Sequence, residues 1–501
     1  MIEWIISPAE FYPSISAEML AFLRIGYGVT LLATLMITLP NRRFFLSERW
    51  GGYAESARDV DWIQNPVAYP VVQVIWMACA VLITLGLWSV WAAIINVLIC
   101  RYFFVYMRWK GVARGMGAPG YMTYWMGLVI ALLEFTTNYA QEATKLALLA
   151  VQIDFAFIML SAGFYKLTAG YAHGNGMELG AANPEWGFWP NFYTKRPPGH
   201  WLIQSFNQMA WITEIAAGVL MLIAPLRFVG GALILLSFAF LTTQIRLGWL
   251  AHLVMICCAV YFHPGSILDE LVISVIPDSL VGTANPEIAM PSALIVVLQA
   301  VLWAYIVLLP FSHLGLSYNF YLKKSLPPPG QLILERYTNF FGHIIWRVFS
   351  QDIVNFYPMI YHQSSDGGPR TLISRYGWAG GGFLNRYNHV CESIVLSSLF
   401  TTLKYYPSNT DRFRDRMLRY CRTLPRPEEH LIIFEYYSLQ RKADGSGVAH
   451  ILASEFIVDV ERGTVEERKI DETFSPGAAI AISPVHEGVR PGSYVPLTGK
   501  T

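Results

Sequence analysis

Apolar residues gather along this chain in nine runs, at 19–40, 70–87, 89–107, 121–137, 146–168, 208–225, 227–244, 247–263 and 293–312. Each approaches the length of about 20 mostly apolar residues that carries a helix across a bilayer. A turn, a proline or a charge separates the runs that nearly touch, at Leu87–Trp88, Pro225–Arg227 and Gln244–Gly248. The polar stretch 264–292 has one short amphipathic segment, Ile267–Ile276, suited to the membrane interface. After residue 325 the pattern changes. Leu326-Pro-Pro-Pro-Gly330 predicts a stiff polyproline hinge at 326–330. Residues 331–475 then read as a mixed α/β domain. In it, Asp352–His362 is strand-like, with Pro358 demoting it to an edge or irregular strand. Helices are predicted at 389–405 and 410–423, and a hairpin from the period-2 runs His430–Leu439 and Val448–Val460 around Ala443–Gly447. The Gly- and Pro-rich residues 476–501 read as a loose tail, and residues 1–18 as an N-terminal segment. The expected fold is an all-α polytopic membrane bundle over 19–325, with about nine transmembrane helices, followed by the mixed α/β domain.

Composition sharpens this. The chain is 54% hydrophobic and only 14% charged, against about a quarter charged in a soluble protein. That excludes a soluble globular protein, a disordered chain and a nucleic-acid binder; a net charge of +1 offers a polyanion no field. The 16 Trp and 27 Tyr suit wide membrane–water boundaries. Basic residues fall in alternate connections: Arg42, Arg43, Arg49 and Arg58; Arg108, Lys110 and Arg114; Lys195 and Arg196; then Lys323 and Lys324. Positive loops stay in the cytoplasm, so the N-terminus is expected outside and the C-terminal domain in the cytoplasm. Glu3, Glu10 and Glu18, with no Lys or Arg, precede the first run, so it reads as a retained span rather than a secretory signal. The six cysteines have no CxxC or zinc spacing, and no disulfide is expected.

Ionisable residues inside spans are costly and therefore candidates for function. They are Arg24, Arg101, Glu134, Asp154, Lys166, Glu214, Arg246 and His252. Mutual pairing accounts for Arg24, Arg101, Glu134 and Asp154, and His252 reads as a core histidine or a ligand contact. Lys166 differs. It ends a span in Ser161-Ala-Gly-Phe-Tyr-Lys-Leu167, where Ala162 and Gly163 admit a close neighbour. A desolvated lysine can give up its proton and act as a general base; the plainer alternative is an ammonium snorkelling to the headgroups. The next stretch, through Tyr171–Glu178 and Asn183–Pro190, packs aromatic and polar groups that can cover a cavity with one polar end. Its ligand would be quinone-like or lipid-like, with Lys166 and Glu214 as catalytic candidates. Arg24, Trp186, Trp189, Gln244 and His252 are the candidate ligand contacts. His173, Glu178 and Glu185 are too scattered to suggest a metal. On the helix at 410–423, Arg412, Arg416 and Arg419 share one face, which either rests on anionic lipid or is solvated over a small core.

Three of these motifs together resemble the vitamin K-dependent gamma-carboxylase superfamily, in its horizontally transferred transmembrane (HTTM) domain family. They are Arg24-Ile-Gly-Tyr-Gly28, Ala162-Gly-Phe-Tyr-Lys-Leu167 with the loop through Trp189, and the run Glu214–Arg227 continuing to Leu247-Gly248. The resemblance covers about residues 19–265 and suggests a bacterial-type member in an inner membrane. It implies that Lys166 is the base that deprotonates a hydroquinone. The family's functional histidines are replaced by Met122 and Phe238, and the C-terminal domain has no counterpart, so glutamate carboxylation is not expected.

Gly377–Phe383 reads as a flexible loop, and Trp346-Arg-Val-Phe349 with Asp352 as an interfacial anchor for the domain. No G-x-S-x-G, H-E-x-x-H or P-loop appears. Two readings follow: a membrane enzyme acting on a quinone- or lipid-like molecule, or a non-catalytic anchor or assembly factor for a membrane complex, whose partner protein binds the C-terminal domain.

Overall fold

The computed structural model describes residues 11–106, 113–173, 176–281, 290–346, 354–373, 390–405, 410–424 and 430–470. Gly377–Phe383, Arg108, Lys110, Asp352 and the tail 476–501 lie outside the described residues. Every apolar run coincides with a helix. These are α1 (Ala17–Thr38), α2 (Ala68–Leu85), α3 (Ser89–Cys100), α4 (Ala113–Tyr139), α5 (Gln141–Thr168), α6 (Trp201–Leu222), α7 (Arg227–Gln244), α8 (Leu250–Cys257) and α9 (Ser292–Tyr321). Five helices, α1, α2, α5, α9 and α7 with the short turn before it, are long and apolar enough to cross a membrane. That suits a multi-pass membrane protein. Nine spans are not confirmed: α4 and α6 are long but not among the five, and α3 has 12 residues and α8 has 8, reaching about 18 and 12 Å at 1.5 Å per residue. A wider turn at Arg101–Tyr106 extends α3, and a 3₁₀ turn at Cys258–Tyr261 extends α8. A helix at Ile267–Val275 matches the amphipathic segment.

The proline run does something other than make a hinge. Pro327 caps and Pro328 opens a helix, α10 (Pro328–Phe341), because the N–H that proline lacks would have had no partner in a first turn. This helix, about 21 Å long, folds back along α9. Gln331 meets Asn319 at 3.0 Å, and Leu334 packs where a Cβ on Gly315 would sit. Phe341 reaches Tyr305, halfway along α9, with ring centroids 4.7 Å apart. There Arg101 and Tyr124 donate to the Phe340 carbonyl at 2.7 and 2.9 Å. Residues 331–346 thus belong to the bundle, and Trp346 is buried against Tyr121 rather than standing as an interfacial anchor.

The sheet follows, all antiparallel, in the order β2-β1-β3-β4-β5, with β1 Phe356–Ser364, β2 Thr371–Leu372, β3 His430–Arg441, β4 Val448–Asp459 and β5 Thr464–Lys469. The expected hairpin is β3–β4. Pro358 is tolerated because β2 pairs β1 only at Tyr361 and His362, leaving that edge open beside it. The two expected helices, α11 (Val390–Tyr405) and α12 (Thr410–Arg422), lie on one face of the sheet. Phe400 sits among Phe356, Phe434, Tyr436 and Phe456.

The arginine face of α12 is neither solvated nor free for lipid. Arg416 and Arg419 are 6% and 3% exposed. Arg419 meets Glu48 at 3.4 Å and Asp415 at 2.9 Å, and Arg416 donates to Thr402 at 2.6 Å. Beside them Arg43 binds Glu392 at 2.8 Å and the Phe44 ring stacks on Tyr420. The sheet unit is therefore docked on the connection after α1, and it also meets the connection after α5, through Arg441–Glu178 at 2.6 Å and Asn183 on the Val354 and Phe356 carbonyls. The opposite end of the bundle joins the start of α1 to 262–281, where Ser16 hydrogen-bonds Asp269.

Candidate functional site

Helices α5 and α6 approach closely because glycines face backbone across the contact. A Cβ on Gly163 would lie 2.9 Å from Ile215 N and 3.1 Å from Trp211 O, and one on Gly218 would lie 3.0 Å from Ala156 O. That approach brings Lys166 against Glu214. The ammonium and the carboxylate form a direct ion pair, 4% and 3% exposed. The lysine is not isolated; one proton can pass between amine and carboxylate without leaving net charge in a low-dielectric interior. The second carboxylate oxygen, Glu214 Oε2, is buried with no hydrogen-bond partner.

The pair stands at the polar end of a cavity of about 60 Å³ walled by Met159, Ala162, Phe206, Phe238, Gln244 and Trp346, among others. This is less than half of the roughly 150 Å³ that accepts a benzene ring. Toward α6 and α7 the lining includes Met209 and Phe240, 53% and 46% exposed, so the cavity continues to the outer surface between those helices. Its walls come from α5, α6, α7 and α8, with Met177, Leu247 and Trp346 from connecting segments; among the described residues, α4 adds none.

Of the candidate contacts, Gln244 lines this cavity and receives a hydrogen bond from Tyr193 at 2.7 Å. The others lie elsewhere. Arg24 is at the opposite end: α1 and α5 enter the bundle from the same end, and Arg24 lies near the start of α1 whereas Lys166 lies near the end of α5. Trp186 is buried in the loop whose backbone bonds Arg246 at 2.7 Å. Trp189 is half-exposed and donates to the Thr243 carbonyl, and His252 packs on Trp249 at 4.8 Å. Trp346 is the wall residue that sequence reasoning misplaced. Its backbone N–H donates to Ser161 Oγ at 3.3 Å, and the signal in sequence is the amphipathic run Gln331–Phe341 after the prolines. Glu178, considered with His173 and Glu185 for a metal, is held instead by Arg441 and Asn207.

Glu185 lies where the loop meets α11. It is 1% exposed, with the Ser393 hydroxyl beside its carboxylate. Burial pushes its acid well above the usual carboxylate range, with the Ser393 hydroxyl opposing and the Glu392 carboxylate adding. An acid raised on folding holds its proton in the native state, so stability falls as pH rises above the unfolded value near 4.5. The slope is at most about 1.4 kcal/mol per pH unit. Glu185→Gln should flatten that slope and stabilise the protein at neutral pH, as read by unfolding between about pH 5 and pH 8. An unchanged slope would mean the carboxyl is hydrated.

Comparison with known protein families, with curated proteins and with solved structures finds no match. The function must therefore be argued from the site itself.

Proposed function

We propose that this is a multi-pass membrane protein whose bundle binds a quinone- or lipid-like amphiphile by its hydroxyl-bearing head, with Lys166 and Glu214 as the proton-accepting pair. The observation that carries this reading is Glu214 Oε2, a buried acceptor without a donor at the polar end of an apolar cavity. A ligand hydroxyl supplies the missing donor. If its proton is taken up, the pair gains one positive charge beside the new oxyanion, so the site stays neutral overall. In the lysine form of this step, the proton of the ion pair rests on Glu214 and the freed amine of Lys166 is the base. The carboxylase-like motif around Lys166 supports the same role. The enclosed space is large enough for the hydroxyl end of such a molecule but not for a whole ring, so the rest of the ligand would lie along the opening between α6 and α7.

The alternation of basic loops favours a cytoplasmic placement of the end that carries Arg43, Lys195 and the sheet unit. A non-catalytic assembly role has less support, because the sheet unit is packed on two connections of the bundle rather than carried on a hinge. Mass spectrometry of small molecules co-purifying in mild detergent tests the proposal. A near-stoichiometric quinone or lipid is expected with the wild type, and its loss with Glu214→Gln. A partner protein retained by both, with no small molecule in either, would favour assembly instead.

A further inference from the structure

A second buried polar cluster lies in the middle of the bundle, apart from the Lys166 cavity. Asp154 on α5 is fully enclosed. Its Oδ2 accepts from Trp125 Nε1 at 2.7 Å and from the Tyr305 hydroxyl at 2.5 Å. Its Oδ1 has no hydrogen-bond partner and lies 3.8 Å from His343 Nε2. The same His343 Nε2 is 3.1 Å from the Tyr305 oxygen, and His343 Nδ1 is 3.1 Å from Ser312 Oγ. His313, whose Nε2 is unpartnered, stacks on the His343 ring at 5.3 Å. Tyr121 from α4, Tyr337 from α10, and Cys257 and Tyr261 from α8 and the turn after it complete the titratable surroundings. Among the described residues, no lysine or arginine comes within ion-pair distance of Asp154.

That last point decides the chemistry. An isolated carboxylate at such depth costs several kcal/mol; His343 is the basic side chain within ion-pair distance of it, and His313 faces the same carboxylate from behind. Two arrangements leave the cluster neutral overall: carboxylate with imidazolium, or carboxylic acid with imidazole. They differ in the seat of one proton. Hydrogen counting allows both. With imidazolium, Nδ1–H donates to Ser312 Oγ, whose own hydrogen goes to the Leu309 carbonyl at 2.7 Å. With neutral imidazole carrying its hydrogen on Nδ1, that N–H still donates to Ser312 Oγ, while the Tyr305 hydroxyl turns to donate to Nε2 and the Asp154 acid, protonated on Oδ2, donates to the Tyr305 oxygen. The path Ser312–His343–Tyr305–Asp154 stays connected in each case.

We propose that Asp154 and His343 share one mobile proton, and that with Tyr305 and Ser312 they form a proton relay distinct from the Lys166–Glu214 pair. Intramembrane carboxylate–histidine chains are the usual means of moving protons through a bundle. His343 sits on the arm that returns from α10, and three residues further that arm supplies Trp346 to the cavity wall. The relay therefore reaches the bundle centre beside a wall of the cavity.

Infrared spectra of the carboxyl stretch and nitrogen NMR of the histidines, on the whole protein in detergent, test this. In His343→Gln the Asp154 carboxyl should be protonated at every pH, giving an acid band that disappears in the double variant with Asp154→Asn. In Asp154→Asn the His343 signals should become those of a single neutral tautomer. An ionised Asp154 in His343→Gln, or His343 signals unchanged by Asp154→Asn, overturns the relay. If the Asp154 variant does not fold, Tyr305→Phe removes only a hydroxyl. It should slow deuteration of the His343 N–H at least several-fold, and an unchanged rate overturns the proposal equally.

Discussion

Lys166→Ala should destabilise the protein by about 3–5 kcal/mol, the range for removing one partner of a buried ion pair. The loss comes less from the missing attraction than from Glu214, left charged and buried with neither oxygen satisfied. A double change of Lys166→Met with Glu214→Leu removes both charges and refills the space. It should recover most of that stability, because apolar residues of similar volume often replace a buried pair at little cost or with a gain. Thermal unfolding in detergent separates these cases. A Lys166→Ala protein as stable as the wild type would mean that water reaches the pair. Recovery of stability without recovery of the co-purifying ligand would assign the pair to binding rather than to holding the bundle together. Failure of the double variant to recover would instead point to packing of the long lysine stem between α5 and α6.

The helices were legible because span formation is local: about 20 apolar residues must be helical in a bilayer whatever their neighbours. The hairpin around Ala443–Gly447 was legible for the same reason, its turn chemistry and period-2 runs lying side by side in the chain. What failed depended on partners distant in sequence. The three prolines at 327–329 are compatible with an extended hinge or with a helix start, and contacts with Gly315 and Asn319 decided between them. Arg416 and Arg419 formed a visible cationic face, but periodicity does not say what covers a face, and here it is the loop holding Glu48 and Tyr53. Within the site, Lys166 was marked by the cost of its position and by Gly163 beside it. Trp346 and His343 follow the prolines, so the chain order alone places them in the domain at 331–475 rather than in the bundle. The aspartate at 154 stood out as expensive, yet its histidine lies 189 residues further on and no spacing rule connects them.

Arg24→Ala should cost as much as Lys166→Ala, about 3–5 kcal/mol, while leaving any ligand of the Lys166 cavity in place. Arg24 reads in sequence as a ligand contact, but its guanidinium is fully committed. Nε faces Glu134 Oε1 at 3.3 Å, one terminal nitrogen donates to the Ile83 and Thr84 carbonyls at 2.7 and 3.1 Å, and the other to the Leu280 carbonyl. Ile83 and Thr84 end α2, where the last carbonyls lack helical partners and a cation is favoured. One side chain thus caps α2, neutralises a buried carboxylate on α4 and ties down the loop at Leu280. The neighbouring motif residues tie α1 to α3, α4 and α2 further along: the Tyr27 hydroxyl donates to the Thr123 carbonyl at 3.0 Å and accepts from Asn96 at 2.7 Å. Gly28 lies where a Cβ would come within 2.9 Å of the Ala80 carbonyl. Arg24→Lys keeps the charge but not the fork, so it should fall between Ala and wild type. Measured in parallel, unfolding and ligand retention should therefore separate the two basic residues: both variants unstable, only Lys166→Ala empty. Loss of ligand from an Arg24→Ala protein that still unfolds cooperatively would restore Arg24 to the binding site and require the two ends of the bundle to communicate.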